Sequence, residues 1–127
     1  MWAVDTNVLV RLITQDEPKQ TAAARTLMTK GAWASLLVVG ETLWVVANVY
    51  ELDNAAQIAA VESLLDQRNL VIQDADVVAA ALARFRARPR LGFYDCLILE
   101  AARKAGHLPL GTFDRPLSKE TGAELVG

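Results

Sequence analysis

The chain has 127 residues, is 53% hydrophobic and 22% charged, and carries a formal net charge of −2 with one cysteine and one histidine. That length and apolar content describe one folded domain and exclude a disordered chain. A lone cysteine excludes an intramolecular disulfide and a multi-cysteine metal site, and the net charge excludes adhesion to nucleic acid through bulk positive charge. No apolar stretch approaches the roughly 20 residues of a bilayer span, and no export signal opens the chain, so the expected location is cytoplasmic, with no membrane.

Residues 1–10 set an apolar run against Asp5-Thr6-Asn7 and then an amphipathic run with Val8, Leu9, Leu12 and Ile13. This predicts a buried strand, a polar tip and a helix capped by Thr6 or Asn7. Glu17 and Pro18 open a second helix over 19–30, ended by Gly31, and residues 32–35 read as a second strand. Residues 36–50 are apolar on nearly every face and predict a buried helix, with a strand as the alternative. Asp53 or Asn54 caps a helix to about residue 67, residues 70–72 form a third strand, and Asp74 caps a helix over 75–86 that Pro89 stops. After a loop at 90–94, Asp95 opens a helix to about residue 105, on which Glu100 and Lys104 form an i,i+4 pair. Residues 108–111 make a fourth strand ending in Thr112-Phe113-Asp114, and 124–126 an edge strand. Strands alternating with helices, with no hairpin among them, predict an α/β fold with a parallel sheet covered on both faces. No linker or repeat interrupts it, so residues 1–127 are expected to be a single domain.

The carboxyl ends of parallel strands form the rim where such folds bind ligands. Asp5 and Asp114 follow strands, Asp95 begins a helix, and Glu41 lies early in the helix after the second strand. All four are therefore expected on that rim. Carboxylates brought together repel, and they persist with a cation among them or with some members protonated. Hard oxygen ligands without His or Cys select Mg²⁺ or Mn²⁺ over Zn²⁺. Two such ions about 4 Å apart activate a water and stabilise the leaving oxygen of a phosphodiester. Plainer roles exist for each acid. Asp95 serves as an N-cap, Asp5 and Asp114 as turn residues, and Glu41, amid Val39, Leu43, Trp44 and Val45, calls for a buried partner that an arginine also satisfies.

The order Asp5-Thr6-Asn7, Glu41 after Ser35, Tyr94-Asp95-Cys96-Leu97-Ile98, then Thr112-Phe113-Asp114-Arg115 resembles a PIN-domain ribonuclease. Within that superfamily it is similar to the toxin of VapBC-type toxin–antitoxin pairs. The resemblance implies a three-layer α/β/α fold with a central parallel sheet of about five strands. It also implies Mg²⁺- or Mn²⁺-dependent cleavage of RNA, a homodimer, and a small cognate antitoxin that blocks the site. Asp5, Glu41, Asp95 and Asp114 match the family's catalytic and metal-binding acids. Thr112 matches a hydroxyl residue before the last acid, and Thr6 and Asn7 the polar residues that support the first. Pro116 departs from the pattern by stiffening a segment that is otherwise variable.

Arg11, Arg84, Arg88 and Arg115 are candidate RNA contacts. Arg84 and Arg88 share a helix face, Pro89 breaks the register for Arg90, and a solvated helix end is the alternative account. Cys96 reads as a small buried side chain and His107 as a turn or cap residue. The apolar segment 36–40 is either a dimer or antitoxin surface or simply core. Two rival classes remain: a PIN-like module that binds RNA or protein without catalysis, and an aspartyl-phosphate phosphotransfer domain with Asp5 as nucleophile. The haloacid-dehalogenase form of the latter expects a second acid where Asn7 stands.

Overall fold

Strands β1 (Trp2–Ala3), β2 (Ala32–Ala34) and β3 (Leu70–Ile72) pair side by side in that order, all parallel, in the computed structural model, which describes residues 1–127. They belong to the first of two compact units, Met1–Ala75, the second being Asp76–Gly127. Trp2 registers with Ala32, and Ala32 in turn with Leu70, so β2 is the central strand. Its Ala32 and Ala34 are fully buried, as suits a middle strand covered by other elements.

Each crossover in this unit is helical, as parallel pairing requires. Helices α1 (Thr6–Thr14) and α2 (Pro18–Thr29) join β1 to β2, and α3 (Leu36–Asn48) and α4 (Asn54–Asp66) join β2 to β3. Their starts are written locally. Asp5, Ser35 and Asp53 each accept a hydrogen bond from a backbone N–H three residues on, and Glu17 caps α2 with Pro18 in its first turn. Helix α1 packs against α2 and α3, and α3 against α4, around Leu9, Val10, Val39, Leu43 and Val46, none more than 1% exposed. The strand alternative for residues 36–50 is thereby overturned. So is full burial of that helix: Leu37, Glu41, Trp44 and Asn48, spaced as one helical stripe, are exposed, with Leu37 at 78%.

The second unit holds α5 (Ala75–Ala87, starting at the unit boundary), a 3-10 turn (Pro89–Leu91), α6 (Phe93–Ala105), β4 (Leu110–Thr112), α7 (Arg115–Ser118) and β5 (Ala123–Leu125). Strands β4 and β5 pair in parallel, Leu110 opposite Ala123. The expected count of five strands is met, but they form a three-stranded and a two-stranded ladder rather than one sheet. Phe85 of α5 meets Phe93 of α6 edge to face, centroids 6.1 Å apart. Helix α6 begins at Phe93, two residues before the expected start, because Gly92 at φ +80° turns the chain into it. Strand β4 begins two residues later than expected, beyond Pro109, which has no N–H to give a ladder. No helix is long and apolar enough to cross a membrane.

Candidate acidic site

In the first unit, the chain leaves β1 through buried Val4, whose N–H donates to Trp33 O at 2.9 Å, and arrives at Asp5. Asp5 itself caps α1, its Oδ1 accepting from Val8 N at 3.4 Å. The cap is therefore Asp5 and not Thr6 or Asn7, which form the first turn of the helix. Only one carboxylate oxygen is engaged, so capping leaves Oδ2 available to a ligand. Asp5 and Asn7 lie on the wall of a cavity of about 340 Å³ between α1 and α2, with Val8, Arg11, Gln20 and Leu27.

Arg11 is held there by three groups. Its Nε donates to Gln20 Oε1 at 2.6 Å, and its Nη1 donates to the Tyr50 hydroxyl at 3.1 Å and pairs with Asp16 at 3.5 Å. These contacts brace α1 against the start of α2, so the guanidinium carries a structural task before any contact with RNA.

Helix α3 starts from the end of β2, beside the end of β1 in the parallel register, so Asp5 and Ser35 share a rim. Gln73 secures that rim from β3: its N–H donates to Ala34 O at 2.9 Å and its Oε1 accepts from Leu36 N at 3.0 Å. Sequence reading missed Gln73, whose only signal is a polar residue directly after a strand. Glu41 lies six residues beyond the Ser35 cap, roughly 9 Å along the helix axis. It is exposed, which corrects the expectation of a buried carboxylate in need of a counter-charge. Water solvates it.

In the second unit, Asp114 follows β4 and caps α7, its Oδ1 accepting from Leu117 N at 3.0 Å. The Thr112 hydroxyl accepts from Asp114 N at 3.0 Å, so this threonine fixes the backbone that carries the acid. Asp95 lies in the first turn of α6 but is not its cap, a position held by Gly92. It is half-buried, and burial, then the charge of Asp114, raises its pKa above the ordinary aspartate range. The capping role expected of Asp95 thus fails, while Asp5 and Asp114, which read as turn residues, are the caps.

The donors suit a hard divalent ion. Asp95 lies within the field of the Asp114 charge, and a cation would relieve that repulsion. No soft ligand competes: burial pushes the Cys96 thiol up to about 11, so it stays protonated, and His107 is exposed beyond the end of α6. Within neither unit are three or more His, Cys, Asp or Glu side chains gathered into a group that could hold an ion.

The arginines expected to meet RNA divide. Arg84, mostly buried, donates to Glu100 Oε1 through Nη2 at 2.8 Å and to Glu120 Oε1 through Nη1 at 2.6 Å. Glu100 also pairs with Arg103 at 3.3 Å, and Glu120 with Arg88 at 3.2 Å. Arg84 is therefore the centre of an internal ion network rather than one of a surface pair with Arg88. Burial works against its charge, but the two glutamates outweigh that and hold its pKa above the ordinary value. Arg88 and Arg115 remain exposed. Lys104 pairs with Asp76 at 2.9 Å, both side chains exposed.

Among curated proteins none matches the chain. Against known families the sequence matches the PIN domain over residues 3–120, a span that takes in Asp5, Glu41, Asp95 and Asp114. With its parallel strands, its helical crossovers and acids at the ends of β1 and β4, the chain belongs to the PIN-domain family, whose members are generally nuclease modules.

Proposed function

We propose that this PIN domain is a divalent-metal-dependent endoribonuclease, with Asp5, Glu41, Asp95 and Asp114 as its working acids. The observation that carries the reading is the placement of half-buried Asp95, in the first turn of α6, within the field of Asp114, the cap of α7, a repulsion that a cation would relieve. When bound, Mg²⁺ or Mn²⁺ supplies charge neutralisation at the scissile phosphate and acidifies an attacking water. The chain's own residues do the positioning. Asp95 and Asp114 would offer an ion their oxygens, and Thr112 holds the backbone of Asp114; Asp5, its Oδ1 fixed by Val8 N, is the candidate acid at the end of β1 in the first unit. Glu41, solvated on α3, completes the set as a further ligand or as the group that orients the water. Thr6 and Asn7 support the first acid from the first turn of α1.

The same reading makes the chain the toxin of a VapBC-type pair, a cytoplasmic homodimer silenced by a small antitoxin. Exposed apolar side chains lie beside an acid in each unit, Leu37 and Trp44 flanking Glu41 in the first and Phe113, 81% exposed, next to Asp114 in the second, and each suits contact with a protein partner.

The test is cleavage of mixed cellular RNA by the purified chain with Mg²⁺, with Mn²⁺ and with chelator, alongside Asp114→Asn. Cleavage that stops with chelator and in the variant supports the reading. Cleavage indifferent to both overturns it, and RNA binding with no cleavage under any condition assigns the chain to a binding module instead.

A further inference from the structure

A second cavity, of about 420 Å³, opens in the second unit between the 3-10 turn at Pro89–Leu91 and helix α7. Three cations face it: Arg88, Arg90 and Lys119. Its single acid, Glu120, is buried and already neutralised by Arg84 at 2.6 Å and Arg88 at 3.2 Å. Arg90 and Lys119 are exposed and have no carboxylate partner, and the Arg88 side chain is 60% exposed. The cavity is thus a net positive pocket.

Basic residues at the end of one helix are commonly a solvated terminus, and that account serves Arg88. It serves Lys119, the C-cap of α7, no less, but it does not explain why the ends of two different helices present their cations to one cavity. Nor does Pro89 remove Arg90 from the group, as its position in the sequence suggests. Pro89 starts a 3-10 turn that returns Arg90 to the side of Arg88. Both walls are stiffened by proline in the first turn, Pro89 on one side and Pro116 on the other. A pocket fixed in advance loses less conformational freedom on binding.

What the pocket would bind follows from where its walls lead. The 3-10 turn runs through Gly92 into α6, whose first turn carries Asp95, and α7 is capped by Asp114. Each wall of the basic pocket is therefore continuous with one of the two acids, Asp95 and Asp114. Lys119 lies five residues beyond Asp114, roughly 7.5 Å at helical rise. Guanidinium forks suit phosphate, since their paired N–H donors can bond two of its oxygens at once.

We propose that the cleft faced by Arg88, Arg90 and Lys119 holds a backbone phosphate of the RNA strand, neighbouring the phosphate at Asp95 and Asp114. The inference rests on the ribonuclease reading for the nature of the strand, yet its test does not need cleavage. With metal chelated, a short fluorescein-labelled single-stranded RNA is titrated onto the full chain at several salt concentrations and followed by anisotropy. The double variant Arg90→Ala/Lys119→Ala removes charge from two exposed positions, and a control, Lys30→Ala/Arg68→Ala, removes the same charge elsewhere. The first should weaken binding roughly tenfold. Its slope of log affinity against log salt should become shallower by about 0.7, the value for one lost phosphate contact on a single strand. The control should leave the slope unchanged. Equal slopes for parent and pocket variant, equal losses in both variants, or no RNA binding by the parent would each overturn the proposal. Loss of affinity for polyglutamate with RNA affinity intact would assign the pocket to an acidic peptide and overturn it too. A parent that binds RNA through the pocket but never cuts it leaves this inference standing while the nuclease reading falls.

Discussion

Asp95, half-buried in the first turn of α6, feels the charge of Asp114 at the cap of α7. Burial and that charge together hold its carboxyl above the ordinary aspartate value of about 3.9. Between the ordinary and the raised value the folded chain binds more protons than the unfolded chain, so stability falls as pH rises through that window. Asp114→Asn removes one of the two causes. The Asp95 carboxyl should then titrate at lower pH, as read by carbon-13 NMR of the side chain. A bound divalent ion works in the same direction, since only ionised carboxylates ligate it. At a hundredfold excess over its dissociation constant, Mg²⁺ should stabilise the fold by about 2.7 kcal/mol at neutral pH. The gain should fade as pH falls through the Asp95 titration, and thermal unfolding with and without Mg²⁺ in both chains measures it.

The ion network around Arg84 gives a second expectation. Glu100 and Glu120 are buried, and Arg84 is the one cation that bonds to both. Arg84→Ala leaves the two buried carboxylates only their outer partners, Arg103 and Arg88, so the loss should reach at most the roughly 3–5 kcal/mol of a fully broken buried pair. Glu120→Gln alone removes one charge and leaves Arg84 its bond to Glu100. The double variant should therefore lose less than the sum of the two single losses, because the stranded charge is gone. Urea unfolding of the four chains measures the coupling. Additive losses would show that Arg84 does not stabilise through Glu120, leaving its bond to Glu100 and its packed aliphatic stem as the source.

How far these features could be read in advance depended on their range along the chain. Local signals were clear: residues 70–72 stand out as a strand between polar neighbours, Asp53 precedes a helical period, and Glu17-Pro18 has the chemistry of a helix start. The four acids could be placed in order by the elements they follow. Partnerships between distant residues could not. Nothing local ties Arg84 to Glu100 and Glu120, sixteen and thirty-six residues on. Helix α7 has four residues, too few to show a period, so Asp114 read as a turn residue although it caps a helix. Gly92 starts α6 by its backbone angle and not by a side chain, which moved the expected start onto Asp95. The exposed stripe on α3 mixes Leu37 and Trp44 with Glu41 and Asn48, so hydrophobicity alone could not show which side faced water.

Asp5 is the residue at which the structural and the chemical role most need to be separated, because it plainly has the first. Its Oδ1 caps α1 through Val8 N. Asparagine caps about as well as aspartate, so Asp5→Asn should leave stability within a few tenths of a kcal/mol. Asp5→Ala loses the cap and should cost about 1 kcal/mol. If the carboxylate also serves the metal, the two variants part company in stability but agree in chemistry. Both should cut RNA at least roughly 100-fold more slowly, beyond the range expected for a residue that only supports a ligand. Asparagine has one oxygen acceptor where aspartate has two and carries no charge, so it can keep Val8 N satisfied and still fail the ion. Thermal unfolding and single-turnover cleavage, run on the same preparations, separate the cases. Full cleavage by Asp5→Asn with impaired cleavage by Asp5→Ala would leave Asp5 a cap and nothing more, and would move the metal's ligands to the acids of the second unit.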